Sequence, residues 1–309
     1  MKRSIKETIT GAMQVRLRKG AYGLMMLVVA VLGLALAIIL YQRTIRDQQE
    51  DTRLAFEHRA MACAADVDRE DDRGEALVQS LGAFVEATEC MDRDRFRIFC
   101  AAAVRRDSCA QALEWVPRVP HARREEYEAA ARSEGLAGFR FTERGAAGGT
   151  VPADLRDEYF PAYYVEPLAG NEADVGFDLG SDPARLATLV KAAETGGLVA
   201  TPRLTLEQGK GAPFGYLMAQ PVYETGASLG SPEDRRRHLR GFVLGVFRIG
   251  AIVESALAEE PPGGLDLYLF DDAAPAAERF LYHHASRTRL DPTKAGPEDL
   301  SKPAPFEYR

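Results

Sequence analysis

Tryptophan occurs once in the 309 residues, cysteine four times and histidine five times. These scarcities exclude much metal and nucleophile chemistry. His58, His121 and His238 are scattered, and His283 and His284 are adjacent, so on a strand they face opposite ways. There is no HExxH motif. The cysteines, Cys63, Cys90, Cys100 and Cys109, fit no metal-ligand spacing. The stretches GKGAP and GAPFG lack both the glycine spacing and the following Ser/Thr of a phosphate-cradling loop. No nucleophile motif supports a Ser–His–Asp arrangement. No catalytic residue, metal or cofactor is therefore assigned. Positive charge is also in deficit: 39 Lys and Arg face 46 Asp and Glu, a net charge of -7. An acidic chain is a poor nucleic-acid binder.

One long uncharged run is present. Residues 21–41 read AYGLMMLVVAVLGLALAIILY, and about 20 such residues span a bilayer core as a helix. The run exceeds the apolar region of a cleavable signal peptide, so it reads as an uncleaved anchor. Lys2, Arg3, Lys6, Arg16, Arg18 and Lys19 precede it against one acid, Glu7. That bias predicts a cytoplasmic leader over residues 1–20 and everything after Tyr41 on the far side of an inner membrane. No second apolar run of spanning length follows. In an oxidising compartment the cysteines either pair, with Cys100–Cys109 the most local bridge, or remain buried thiols.

Residues 42–90 form a stalk. The segment 42–86 contains no proline, and Ile45, Leu54, Phe56, Ala60, Ala64 and Val67 recur at loosely three-to-four spacing, followed by Leu77, Leu81 and Phe84. Such a helix either pairs with its copy in a second subunit or packs on its own domain. Further helices are predicted over 92–106 and 121–135, and a third from Asp182, with Pro183 in its first turn and Gly196–Gly197 as its stop. Strands are predicted at 112–120, 139–143, 159–167, 198–206, 215–223, 241–249 and 265–271. Residues 144–157 read as a loop, residues 231–240 as a hairpin loop or short helix, and residues 252–257 as the core of another short helix. Helices followed by tightly turned strands predict an α+β fold: an antiparallel sheet with helices on one side.

Seven stretches then occur in order: LEWVPRVP, REEYE, YFPAYYVEPLAGN, GFDLGSDPARLATLVKAAETG, ATPRLTL, YLMAQPVY and GFVLGVFR. Together, over roughly residues 113–249 and behind an N-terminal anchor, they resemble the CHASE sensing domain. That domain belongs to receptor-type histidine kinases and diguanylate cyclases, the plant cytokinin receptors among them. The resemblance implies a stalk helix carrying two PAS-like antiparallel-sheet subdomains, usually as a homodimer, with a small-molecule site in the membrane-distal part. The expected division is a sensing domain over residues 91–258 and a membrane-proximal part over 259–309. The latter ends, on this reading, before a second membrane helix and an output domain.

The resemblance also marks residues. Asp178 matches an acidic ligand contact of the cytokinin receptors; the alternative is that it caps the following turn. Thr201 and Pro202 fall where the family places pocket-wall residues, with core packing as the alternative. Arg185 projects from the helix after the turn, toward Asp178, a bound anion or solvent. Tyr159, Tyr163, Tyr164, Leu217 and Tyr223 supply apolar lining with hydroxyl handles, though strand alternation lets only some share a face. Trp115 reads as core. Three functions compete at this point: a small-molecule receptor segment, a membrane-anchored periplasmic hydrolase and a protein-binding adaptor. A concave apolar pocket favours the first, convergent nucleophile and base the second, and a flat apolar patch the third.

Overall fold

The computed structural model describes residues 2–88, 91–104, 109–146, 148–206, 214–258 and 265–286. Two units divide at Met61 and Ala62. Helix α1 (Lys2–Ala87) begins in the first unit and ends in the second. Its described part from Leu24 contains an 18-residue window of mean hydropathy 2.9, none of it buried, long and apolar enough to cross a membrane.

In the second unit, α2 (Arg93–Val104) is followed by β1 (Ala110–Pro117) and β2 (Val119–Pro120). Helix α3 (Arg124–Ser133), the short strands β3 (Thr142–Arg144) and β4 (Thr150–Pro152), then β5 (Glu158–Tyr159) and β6 (Tyr164–Glu166) come next. Helix α4 (Pro183–Thr195), β7 (Val199–Ala200), β8 (Leu204–Thr205) and β9 (Phe214–Tyr223) lead to α5 (Pro232–Arg237) and β10 (Leu239–Arg248). Helix α6 (Ile249–Ala256) and the hairpin β11 (Leu267–Phe270) with β12 (Phe280–His284) complete the described elements.

The main sheet runs β6-β1-β10-β9-β7, with β8 also on β9, and every pair is antiparallel. The fold is mixed α+β, and in chain order this sheet reads 2-1-5-4-3. Its centre is set by Trp115 opposite Val243 and Val243 opposite Gln220. Alternation then assigns the two faces. Leu113, Trp115, Met218, Val243 and Phe247 share a core with Val78, Leu81 and Val85 of α1 and with Phe96 of α2. Ala112, Val116, Leu217, Leu244 and Val246 share another with Leu189, Ala192 and Ala193 of α4. Trp115 is thus core. The three α1 residues are fully buried, worth about 2 kcal/mol each in removed apolar surface. A third cluster joins Cys63, Val253 and Leu257 to the β11–β12 hairpin.

Helix α4 shows how local chemistry positions the sheet's second face. Asp182 Oδ1 accepts from the backbone N–H groups of Ala184 and Arg185, each at 3.0 Å, and Pro183 occupies the first turn. Gly196 ends the helix at φ +76°, a left-handed backbone that glycine adopts without steric cost. Gly245 matters for a different reason. A Cβ there would lie 2.4 Å from Phe247 and 2.6 Å from Val78, so only hydrogen lets α1 approach the sheet this closely.

Several expectations are corrected in detail. The strand predicted over 198–206 is two short strands, β7 and β8, because Pro202 cannot donate to a ladder. The loop predicted over 144–157 holds β4, paired with β3. Residues 121–123 are a 3-10 turn before α3. Residues 159–167 give β5 and β6, separated at Pro161, whose main chain bridges to Asp178. Cys63, Cys100 and Cys109 are buried, and no disulfide joins Cys100 to Cys109. Cys109 Sγ instead contacts Glu70 Oε2 at 3.2 Å. Cys90 lies outside the described residues.

Candidate ligand cavity

A cavity of about 210 Å³ lies against the α4 face of the sheet. Its floor is Leu217 of β9 and Val246 of β10, and its apolar wall is Ala162, Phe177 and Leu179. Charge enters from three sides: Glu114 from β1, Asp174 with Arg185 from the loop and helix that follow β6, and Arg144 from β3. Gln111 and Thr205 add neutral polar groups.

Glu114 is only 4% exposed although it stands within an apolar strand. Burial, reinforced by the charge of Asp174 and partly offset by Arg185, pushes its pKa up to about 8. The Arg185 guanidinium sits 4.9 Å over the Phe177 ring, and its Nε is buried with no hydrogen-bond partner. Gln111 donates through Nε2 to Asn171 Oδ1 at 2.8 Å. Asn171 in turn donates through Nδ2 to the Pro167 carbonyl at 2.8 Å, which fixes both amide orientations. Gln111 Oε1 is thereby left buried without a partner. An orphaned buried polar atom costs roughly 1–3 kcal/mol. Two such atoms, an acceptor and a donor, belong to residues lining the same cavity.

Two of the residues singled out from the sequence, Arg185 and Leu217, line this cavity. The other seven lie elsewhere, Tyr159 among them in the core shared with α1. Asp178 is wholly buried and its carboxylate is engaged: Oδ1 accepts from Phe160 N–H at 2.8 Å and from Gly180 N–H at 3.1 Å, while Oδ2 lies 3.4 Å from Arg156. Its expected alternative partner Arg185 is not among these contacts. Thr201 pairs with Leu217 by backbone and hydroxyl, its Oγ1 accepting from Leu217 N–H at 3.0 Å, and Pro202 is exposed. Tyr163 and Tyr164 point into the opposite core, their hydroxyls donating to the Tyr127 and Met91 carbonyls. The Tyr223 hydroxyl donates to Ala193 O at 3.0 Å, tying β9 to α4. Among the described residues, no group of three or more His, Cys, Asp or Glu is placed to hold a metal ion.

The family model of the CHASE domain matches residues 89–282, more than half of the chain. The chain belongs to the CHASE domain family. Over 161 residues, half of this chain, it is also 31% identical to hybrid signal transduction histidine kinase A of Dictyostelium discoideum. It spans 7% of that kinase. Among solved structures, it is similar to the ligand-binding domain of the Pseudomonas aeruginosa amino acid chemoreceptor PctC, solved in complex with GABA. That likeness has 15% identity and a TM-score of 0.40, over 75% of this chain and 76% of the other. An extracellular ligand-binding receptor from Desulfohalobium retbaense gives 11% identity and a TM-score of 0.41, over 72% of this chain and 32% of that one. The general role of a CHASE domain is that of a sensor.

In this CHASE domain the cavity residues that the sequence reading missed are Gln111, Glu114, Arg144 and Asp174. Glu114 had a legible signal. In the stretch ALEWVP, alternation places it between Ala112 and Val116 on a buried face, where a carboxylate needs a purpose. Arg144 had none, because the three-residue strand that carries it is fixed by pairing with β4 and by a bridge from Thr142 to Phe177.

Proposed function

We propose that this chain is the extracytoplasmic small-molecule sensor of a transmembrane receptor. The leader is residues 1–20, the membrane helix 21–41, the stalk 42–90, the sensing domain 91–258 and the membrane-proximal part 259–309. The domain faces the periplasm from the inner membrane and works as a homodimer through the stalk. An output domain of the kinase or cyclase type receives the signal. The observation that carries this reading is the cavity, concave and charged, against one face of a sheet whose other face packs on α1. The same strands serve both faces. On β9, Leu217 lines the cavity while its neighbour Tyr216 donates a hydrogen bond to Asp71 of α1. On β1, Glu114 faces the cavity and Leu113 the α1 core. A ligand that prefers one strand arrangement would therefore bias how α1 packs, and a receptor needs such differential affinity between two states.

The test is a thermal-stability screen of the full chain in detergent micelles against a collection of small metabolites. It is run in parallel on Ala173→Trp, which puts an indole at an exposed rim position of the cavity. The expected result is at least one compound that raises the melting temperature of the natural chain and not of the variant. If no compound separates the two proteins, the cavity is not a ligand site.

A further inference from the structure

The ligand can be narrowed by what the cavity walls lack. We infer that the cavity takes a small zwitterion, a molecule carrying both a protonated amine and a carboxylate, with the amine at Glu114 and Gln111 Oε1 and the carboxylate at Arg185. This rests on the reading of the cavity as a ligand site and names its substrate class.

Three observations point the same way. First, the two unpartnered buried atoms of the lining are of opposite kind: Gln111 Oε1 accepts and Arg185 Nε donates. A purely anionic ligand leaves the first unsatisfied, and a purely cationic one leaves the second. Second, the lining brings acids and arginines together, Glu114 and Asp174 with Arg185 and Arg144, so neither sign of ligand charge is favoured alone. Third, about 210 Å³ is below the ~300–1,000 Å³ typical of sites for drug-sized molecules, which excludes nucleotides and oligosaccharides by size. Phe177 and Leu217 leave an apolar surface for a short side chain. Burial and Asp174 already hold the Glu114 carboxyl toward its protonated form, and a cationic group is what draws it into the charged form.

The experiment is calorimetric titration of the full chain in micelles with the genetically encoded amino acids, one at a time. For each one that binds, the decarboxylated amine and the deaminated acid are titrated as well. At least one amino acid binds, and both truncated analogues bind about tenfold or more weakly, as loss of a charge-assisted hydrogen bond implies. Glu114→Gln weakens the amino acid by about the same factor, Glu114→Asp less, and Arg185→Gln again by about tenfold. Should a variant fail to fold, the analogue series on the natural chain still decides. Equal affinity for an amino acid and either truncated analogue overturns the zwitterion assignment. So does a screen in which no amino acid binds while a metabolite that is not a zwitterion stabilises the natural chain and not Ala173→Trp; that outcome leaves the sensor reading standing. If no compound distinguishes the natural chain from Ala173→Trp, both fall.

Discussion

Glu114 couples the stability of the empty domain to pH, and the size of the effect follows from its surroundings. Its pKa is about 8 in the folded chain against an ordinary 4.5. Between those values the folded state holds the proton more tightly than the unfolded state, so stability falls as pH rises. The contribution is intact below about pH 4.5 and is lost progressively up to about pH 8. At about 1.4 kcal/mol per pH unit the full loss is roughly 5 kcal/mol at most. Even half of that moves the melting temperature of a unit this size by about 5–10 °C. Glu114→Gln has the shape of the protonated acid and cannot ionise. The variant should therefore match the natural chain near pH 5 and exceed it near pH 8. The assay is thermal unfolding by circular dichroism across that range, without ligand. Asp178, whose pKa burial also raises against the pull of its backbone donors and Arg156, is present in both proteins and cancels in the difference. A difference between the proteins that does not change with pH would refute the reasoning.

Other positions separate structural from signalling roles. Asp178→Ala removes the acceptor for the Phe160 and Gly180 N–H groups and should cost about 2–4 kcal/mol in denaturant unfolding; unchanged stability with weakened ligand binding would instead make Asp178 a ligand contact. Gly245→Val inserts carbon where Phe247 and Val78 already stand within 3 Å and should cost at least ~1–3 kcal/mol of overpacking, read as a lower urea midpoint; an unchanged midpoint would mean that α1 yields freely. Single cysteines placed along residues 42–61, in a background without native cysteines, should cross-link in membranes with helical periodicity; uniform absence of cross-linking would argue against the stalk dimer.

Much of the fold is legible where local and long-range preferences agree. Asp182, Pro183 and Gly196 mark both ends of α4 by capping chemistry alone. The long strands β9 and β10 carry enough apolar residues to be read without their partners. The β3–β4 pair is only three residues per strand and rich in glycine nearby, so nothing local distinguishes it from a loop. The cavity is harder still, because it assembles residues from β1, β3, α4, β9 and β10 whose proximity exists only in the folded sheet. Arg185 stood out because it projects from the helix after the turn, where a guanidinium can meet Asp178, a bound anion or solvent. Asp178 and the tyrosines share that stretch, but backbone donors and carbonyls take up their polar atoms.

On the proposed reading, the cavity and α1 are coupled through the strands they share. Hydrogen–deuterium exchange on the full chain in micelles tests it most directly, with and without the most stabilising compound from the screen. The predicted result is slower exchange in β1, β9 and the segment 174–185 that borders the cavity, together with altered exchange in α1 between Glu70 and Val85. Protection confined to the cavity walls, with α1 unchanged, would contradict it.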